Sequence, residues 1–360
     1  MLQQLDHIPD GLLDLEATEL EARLGGPTLI HLPGRRGPAL FVTVLMHGNE
    51  TTGWAAVRRL LRGYRRDGRE LPRALSLFIS NVAAAAKGLR RLEGQPDYNR
   101  VWPGCDDGGT PEHAMMQQVM DVMAERGVFA SIDVHNNTGL NPHYACVNVI
   151  DHRFLHLATL FSRTVVYFIR PCGVQSMAMA RLCPAVTLEC GKPGQAHGAR
   201  HARDYLDACL HLADHPAHPV GAHDIDLFHT VAIVKVPDGV SFGFGAEEGV
   251  DIRFSADLDH LNFRELPRGT PLARMGAGVG PGLQVCDEQG RDVTGRYFEV
   301  VDGELRLRLP VMPSMLTRDR RVVRQDCLCY LMERYNDHLE PGVPGSVPDS
   351  PSLRGIPGPG

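Results

Sequence analysis

Four side chains in the 360-residue sequence have the types and the placement to do chemistry together. They are His47 and Glu50 in "VLMHGNE", His135 at the end of "SIDVH", and Glu189 at the end of "AVTLE". Imidazole nitrogen and carboxylate oxygen both ligate zinc. Two His and one carboxylate leave a fourth tetrahedral position open for water, which suits a catalytic centre better than a structural one. His47, Glu50 and His135 are therefore the expected metal ligands, for one Zn2+ per chain; cobalt and manganese accept the same donors. Gly48 lets the chain turn so that His47 and Glu50 face one ion. Asp133 lies two residues before His135 on the same strand face, where it can orient that ligand. A carboxylate outside the ligand set must then move protons, and Glu189 is the candidate general base and later general acid. Each residue alone has a plainer explanation. His-x-x-Glu arises by chance, His135 fits a satisfied core or capping histidine, and Glu189 fits a carboxylate at a helix N-terminus. The case rests on their joint arrival at strand ends.

The elements that must deliver them follow from the apolar patterning. "ALFVTVLMH" (39–47), "ALSLFISNV" (74–82), "FASIDVH" (129–135), "TVVYFIR" (164–170) and "AVTLECG" (185–191) read as short buried strands. Between them "GWAAVRRLLRGY" and "PEHAMMQQVMDVMAERG" have helical spacing, the latter with Pro111 near its start and Gly127 at its end. "GARHARDYLDACLHLADH" closes the run as a further helix. Such alternation implies an α/β fold with a mostly parallel or mixed central sheet covered by helices. In such sheets functional groups gather at the carboxyl ends of strands. From "HPAHPVGAHD" (215–224) onward the texture shifts to short β-like runs and turns, which predicts a small, mostly β C-terminal domain. The expected division is a hydrolase domain over 1–215, a β-rich domain over 216–340 placed to roof the site, and a disordered Pro/Gly/Ser-rich tail over 341–360. The linker histidines read as part of an exposed connection, and "GFGAEEG" (243–249) is a poor dinucleotide loop because Glu248 stands where the third glycine belongs.

Composition narrows the partners. The chain is 43% hydrophobic and 22% charged, with a net charge of −6 and no dense Lys/Arg run, which argues against nucleic acid or a membrane surface. The N-terminal "MLQQLDHIPDGLLDLEATEL" is acidic and mixed, unlike a secretory signal, so the expected location is the cytoplasm. Nine scattered cysteines without a C-x-x-C pattern read as buried, reduced thiols. Composition leaves a homo-oligomer open.

The words "MHGNE" (46–50), "DYNRVWPG" (97–104), "DVHNNTG" (133–139) and "TLECG" (187–191), in this order and at these intervals, resemble the succinylglutamate desuccinylase/aspartoacylase family, a branch of the zinc carboxypeptidase-like hydrolases. The resemblance spans about 29–211 strongly and the C-terminal region more loosely. It implies a zinc carboxypeptidase-like fold, with His47, Glu50 and His135 as zinc ligands and Glu189 as the catalytic carboxylate. It also implies that Asn99 and Arg100 grip a substrate carboxylate and that Asn81 shapes the pocket. An arginine upstream polarises the scissile carbonyl in such relatives. "GLRRLEGQPDYNR" offers Arg90 and Arg91, and Arg91 is favoured, with Arg90 as a substrate-binding neighbour. A guanidinium is suited to both tasks, since its planar donors match a carboxylate and its charge stabilises a developing oxyanion. For Arg90 and Arg91 the plain alternative is a solvated pair, and for Arg100 a structural salt bridge. Asn141, His143 and Arg181 are further candidates for the pocket wall. The expected activity is hydrolysis of a small N-acyl amino acid or related amide carrying a free carboxylate. A metallocarboxypeptidase is the alternative, and a non-catalytic metal- or ligand-binding homologue the reading from a different class.

Overall fold

A computed structural model describes residues 2–104, 108–276, 280 and 282–335. The expected tail over 341–360 and Cys105 lie outside them. The strands Ala39–Val44, Leu75–Ile79 and Ala185–Glu189 are almost continuously buried, as strands covered on both faces must be. Ala39–Val44 pairs in parallel with Leu75–Ile79 on one side and with Val128–His135 on the other. Val128–His135 in turn pairs in parallel with Ala185–Glu189, setting His135 directly opposite Glu189. Tyr144–Val147 then runs antiparallel to Ala185–Glu189, and Thr28–Leu32 antiparallel to Leu75–Ile79, so the sheet is mixed.

The covering helices form where the apolar spacing predicts. Thr52–Arg66 buries Trp54, Val57, Leu60, Leu61 and Tyr64 along one stripe and packs on Ala196–His211. Pro111–Arg126 starts with proline in its first turn behind a Thr110 cap and ends at Gly127 in the left-handed region, with φ of 71°. Together these layers give the expected α/β architecture.

The sheet does not stop near residue 216. Asp226–Lys235 pairs in parallel with Thr164–Tyr167, then Cys329–Arg334 and Met312–Ser314 add to it, giving a twelve-stranded sheet. A separate five-stranded sheet contains Phe242–Phe244, Ile252–Phe254, Pro271–Met275, Glu304–Leu307 and Phe298–Val301, with its own apolar core around Ile252, Phe254, Leu305 and Leu307. The C-terminal region is thus β-rich as expected, but part of it extends the central sheet. Strand pairing across more than 60 residues leaves no local trace in sequence. The cysteines also depart from expectation at one place: Cys146, Cys183, Cys190, Cys209, Cys286, Cys327 and Cys329 are free, whereas Cys172 is disulfide-bonded.

Candidate active site

The first strand ends at Val44, three residues before His47, and Leu45 follows in the left-handed region with φ of 61°. A buried leucine rarely adopts that conformation, which marks a strained turn held by its surroundings. The turn carries His47 and Glu50 to the rim, just ahead of the helix Thr52–Arg66. Gly48 is required here for a reason other than the one expected. A Cβ at this position would lie 2.2 Å from the backbone nitrogen of Ala85, so the glycine admits the neighbouring short helix Val82–Ala86.

Glu50 is the hub of the site. Its Oε1 lies 2.7 Å from His47 Nδ1 and its Oε2 lies 2.8 Å from His135 Nδ1, while the backbone N–H of Asn136 donates to Oε2 at 3.0 Å. One donor atom from each of His47, Glu50 and His135 lies within 4.8 Å of the others, and all three residues are buried. The far nitrogens are held from behind: His47 Nε2 lies 3.0 Å from Asp97 Oδ1 and His135 Nε2 lies 2.7 Å from Asp133 Oδ2. Carboxylates in those positions fix ring orientation and leave both Nδ1 atoms facing Glu50, the arrangement found behind metal-bound histidines. This donor set fits a divalent cation such as zinc. Burial opposes protonation of His135, but Asp133 and Glu50 outweigh it and hold its pKa well above the usual value.

Glu189 stands outside this donor set. It is buried, opposite His135, with Asn137 Nδ2 donating to its Oε2 at 3.4 Å. Burial pushes its pKa up to about 7, with the charge of Glu50 adding to the rise. A carboxyl group poised there can take or give a proton near neutral pH.

The two arginine candidates separate cleanly. Arg90 lines the cleft, its Nη1 3.5 Å from Glu50 Oε1 and its Nη2 donating to Asp97 Oδ2 at 3.0 Å. Arg91 turns away and donates to the Gln95 carbonyl at 2.7 Å. Asn81 does not line the cleft. Its side chain caps the helix Val82–Ala86 through the Ala84 N–H and donates to Gln95 at 3.0 Å, bracing the loop that carries both arginines. Asn99 and Arg100 both line the cleft. Asn99 Oδ1 accepts from the backbone N–H of Gln175 at 2.9 Å, and Asn99 Nδ2 lies 3.3 Å from His135 Nε2.

Other candidates fall elsewhere. Asn141 links its loop to the C-terminal region by accepting from the Met315 N–H at 2.9 Å. His143 stacks against His197 away from the cleft lining, and Arg181 is exposed on the outer surface. Glu247 in "GFGAEEG" pairs with Arg320, so that loop serves as a structural contact.

The cleft measures about 1060 Å³ including its open mouth. Its far wall comes from the C-terminal region: Ser314, Met315, Val322, Asp326, Cys327 and Tyr330 all line it. A Cβ on Gly139 would lie 2.0 Å from the Leu316 carbonyl, which shows how closely that region covers the strand-end loops. Sequence reasoning left Asp97, Asn136, Asn137, Tyr144 and Asp326 without a role. Asp97, Asn136 and Asn137 sit inside the quoted words "DYNR" and "DVHNNTG". Nothing local marks Asp326.

Beside the carboxyl ends of this mixed α/β sheet, His47, Glu50 and His135 thus form a buried cluster that could hold a metal ion, with Glu189 next to it. The model of the "Succinylglutamate desuccinylase/Aspartoacylase catalytic domain" family matches residues 36–215, and the chain belongs to that family. Among solved structures it is similar to the succinylglutamate desuccinylase/aspartoacylase from Rhodobacter sphaeroides, with a TM-score of 0.54 at 16% identity over 85% of this chain and 88% of that one. Murine aminoacylase 3 gives 0.52 at 15% identity, over 83% and 96% of the two chains. Succinylglutamate desuccinylase from Vibrio parahaemolyticus gives 0.52 at 15% identity, over 79% and 86%. At these identities the structures establish the fold alone. No curated protein matches the sequence.

Proposed function

We propose that the chain is a zinc-dependent amidohydrolase, holding one ion per chain, that removes the acyl group from a small N-acyl amine. The observation that carries this reading is the buried His47–Glu50–His135 donor set with Glu189 beside it and outside it. A divalent cation bound there supplies Lewis acidity to a water and to the scissile carbonyl. Glu189 takes the proton from the attacking water and returns it to the departing amine, a pair of steps suited to a carboxyl group with a pKa near neutrality. Arg90 is assigned the carbonyl-polarising role, because it reaches the cleft beside Glu50 whereas Arg91 does not. Asn99 and Arg100 form the adjoining polar wall.

A metallocarboxypeptidase would use the same chemistry on a peptide end. Ser314, Met315, Val322 and Tyr330 form one wall of the cleft, and a wall on that side favours small substrates over chains. Among the described residues no helix is long and apolar enough to cross a membrane. A cytoplasmic setting belongs to the proposal. Acetate, formate or succinate release from N-acyl amines, tested on zinc-loaded protein alongside short peptides, checks the reading. Hydrolysis of small amides supports it, hydrolysis of peptides alone points to the carboxypeptidase, and binding without hydrolysis points to a binding protein.

The arginine assignment has its own check. Arg90→Ala is expected to lower kcat by about 10²–10³-fold, the usual cost of losing a donor to a developing oxyanion. Arg91→Ala is expected to cost much less, because its guanidinium is spent on a loop carbonyl. Steady-state kinetics on the two variants decides it, and the reverse order would return the role to Arg91.

A further inference from the structure

Arg100, expected to receive a substrate carboxylate, and Arg90, assigned to the scissile carbonyl, already share a carboxylate of this chain. Asp326 follows the short helix Arg320–Gln325 and reaches into the cleft from the C-terminal wall. Its Oδ1 accepts from Arg100 Nη2 at 3.0 Å and its Oδ2 accepts from Arg90 Nη2 at 3.2 Å. One oxygen to each guanidinium is how an incoming carboxylate would bridge the same pair. Arg90 also meets Asp97 and Glu50, so three carboxylates face the two guanidiniums. Burial works against the charged form of Asp326, yet Arg100 and Arg90 keep its pKa below the usual carboxylate value. The arginine pair is thus neutralised from within the chain.

We infer that Asp326 is a specificity-determining residue that stands in for a substrate carboxylate, so that this site takes N-acyl compounds uncharged where they meet Arg90 and Arg100. A second anion at that wall would face Asp326 across the same two guanidiniums, and like charges brought together in a partly desolvated site repel strongly. A neutral group such as a carboxamide or hydroxyl meets no such opposition. It can accept from the guanidinium of Arg100, which lines the cleft beside Asn99. The inference rests on the proposed hydrolytic reading for its choice of substrates, but it is tested by binding.

The experiment uses full-length protein in wild-type, Asp326→Asn and Asp326→Ala forms. Calorimetry compares N-acetylglycine and N-acetyl-L-leucine with their carboxamides. Asn keeps the shape of Asp and removes its charge, so it guards against misfolding in the Ala variant. Wild type is expected to bind the carboxamides more tightly than the free acids. Either substitution should raise affinity for the acids by about tenfold or more, the effect of one relieved charge repulsion, and change carboxamide affinity far less. Unchanged acid affinity in Asp326→Asn, or equal weakening for acids and carboxamides, would overturn the inference and leave Asp326 as a brace for the two arginines. Failure of the hydrolytic reading shows separately, as binding of these compounds without release of acetate by any form.

Discussion

Glu189→Gln is expected to lower kcat by about 10²–10⁴-fold, the usual worth of a positioned general base, while the protein keeps its full metal content. The separation of the two readouts follows from geometry. Glu189 is not part of the donor set formed by His47, Glu50 and His135, so its loss leaves every metal-facing atom in place. Gln preserves the volume and can still accept from Asn137 Nδ2. The fold should tolerate the change well. The carboxyl of Glu189 titrates at about 7 in the folded chain against 4.5 for an ordinary glutamate, chiefly because burial penalises its charge. A raised carboxyl pKa costs stability increasingly as pH climbs through that window, with the full cost present above about 7. At pH 8 the metal-free Gln variant should therefore melt no lower than the metal-free wild type. Kinetics, metal analysis and thermal melting on one preparation check all three statements, and unchanged turnover would remove Glu189 from the mechanism.

His47→Ala should abolish stable metal binding. Losing the carboxylate behind a ligand typically costs 10–100-fold in metal affinity, and losing the ligand itself is expected to exceed about 100-fold. His47 is the better choice for this test than His135. Removing His47 leaves Asp97 paired with Arg90, so no buried charge is stranded. Removing His135 would leave Asp133 fully buried in the sheet, with the Thr43 hydroxyl as its remaining side-chain hydrogen-bond partner among the described residues. Competition with a chromophoric chelator measures the loss. Tight metal binding by His47→Ala would show that the donor set is not the metal site.

The parts of this site legible in the sequence are those carried by regular structure. His135 and Glu189 close apolar runs, and a strand buried on both faces announces itself by composition. Their positions at strand ends could therefore be read from the sequence. Asp133 followed from the two-residue period of the same strand, and it does meet His135 Nε2. The loop residues were less accessible. Arg90 and Arg91 are adjacent in a segment without periodicity, so nothing in the spacing says which one faces inward. The answer depends on Gln95, which is held by Asn81 and receives Arg91. Gly48 illustrates a similar limit, because the helix that demands it begins more than 30 residues later. Asp326 was beyond reach for a topological reason. It enters the cleft only because Cys329–Arg334 joins the central sheet beside Asp226–Lys235, a pairing across about 100 residues.

The central claim is that one cation held by His47, Glu50 and His135 is needed for amide hydrolysis at this cleft. Its most direct test measures metal content by mass spectrometry and acyl release from an N-acetyl amine on the same sample, before chelation, after it, and after zinc is restored. The account predicts one ion per chain, loss of turnover with the ion, and recovery with its return. Hydrolysis that persists in metal-free protein would contradict it.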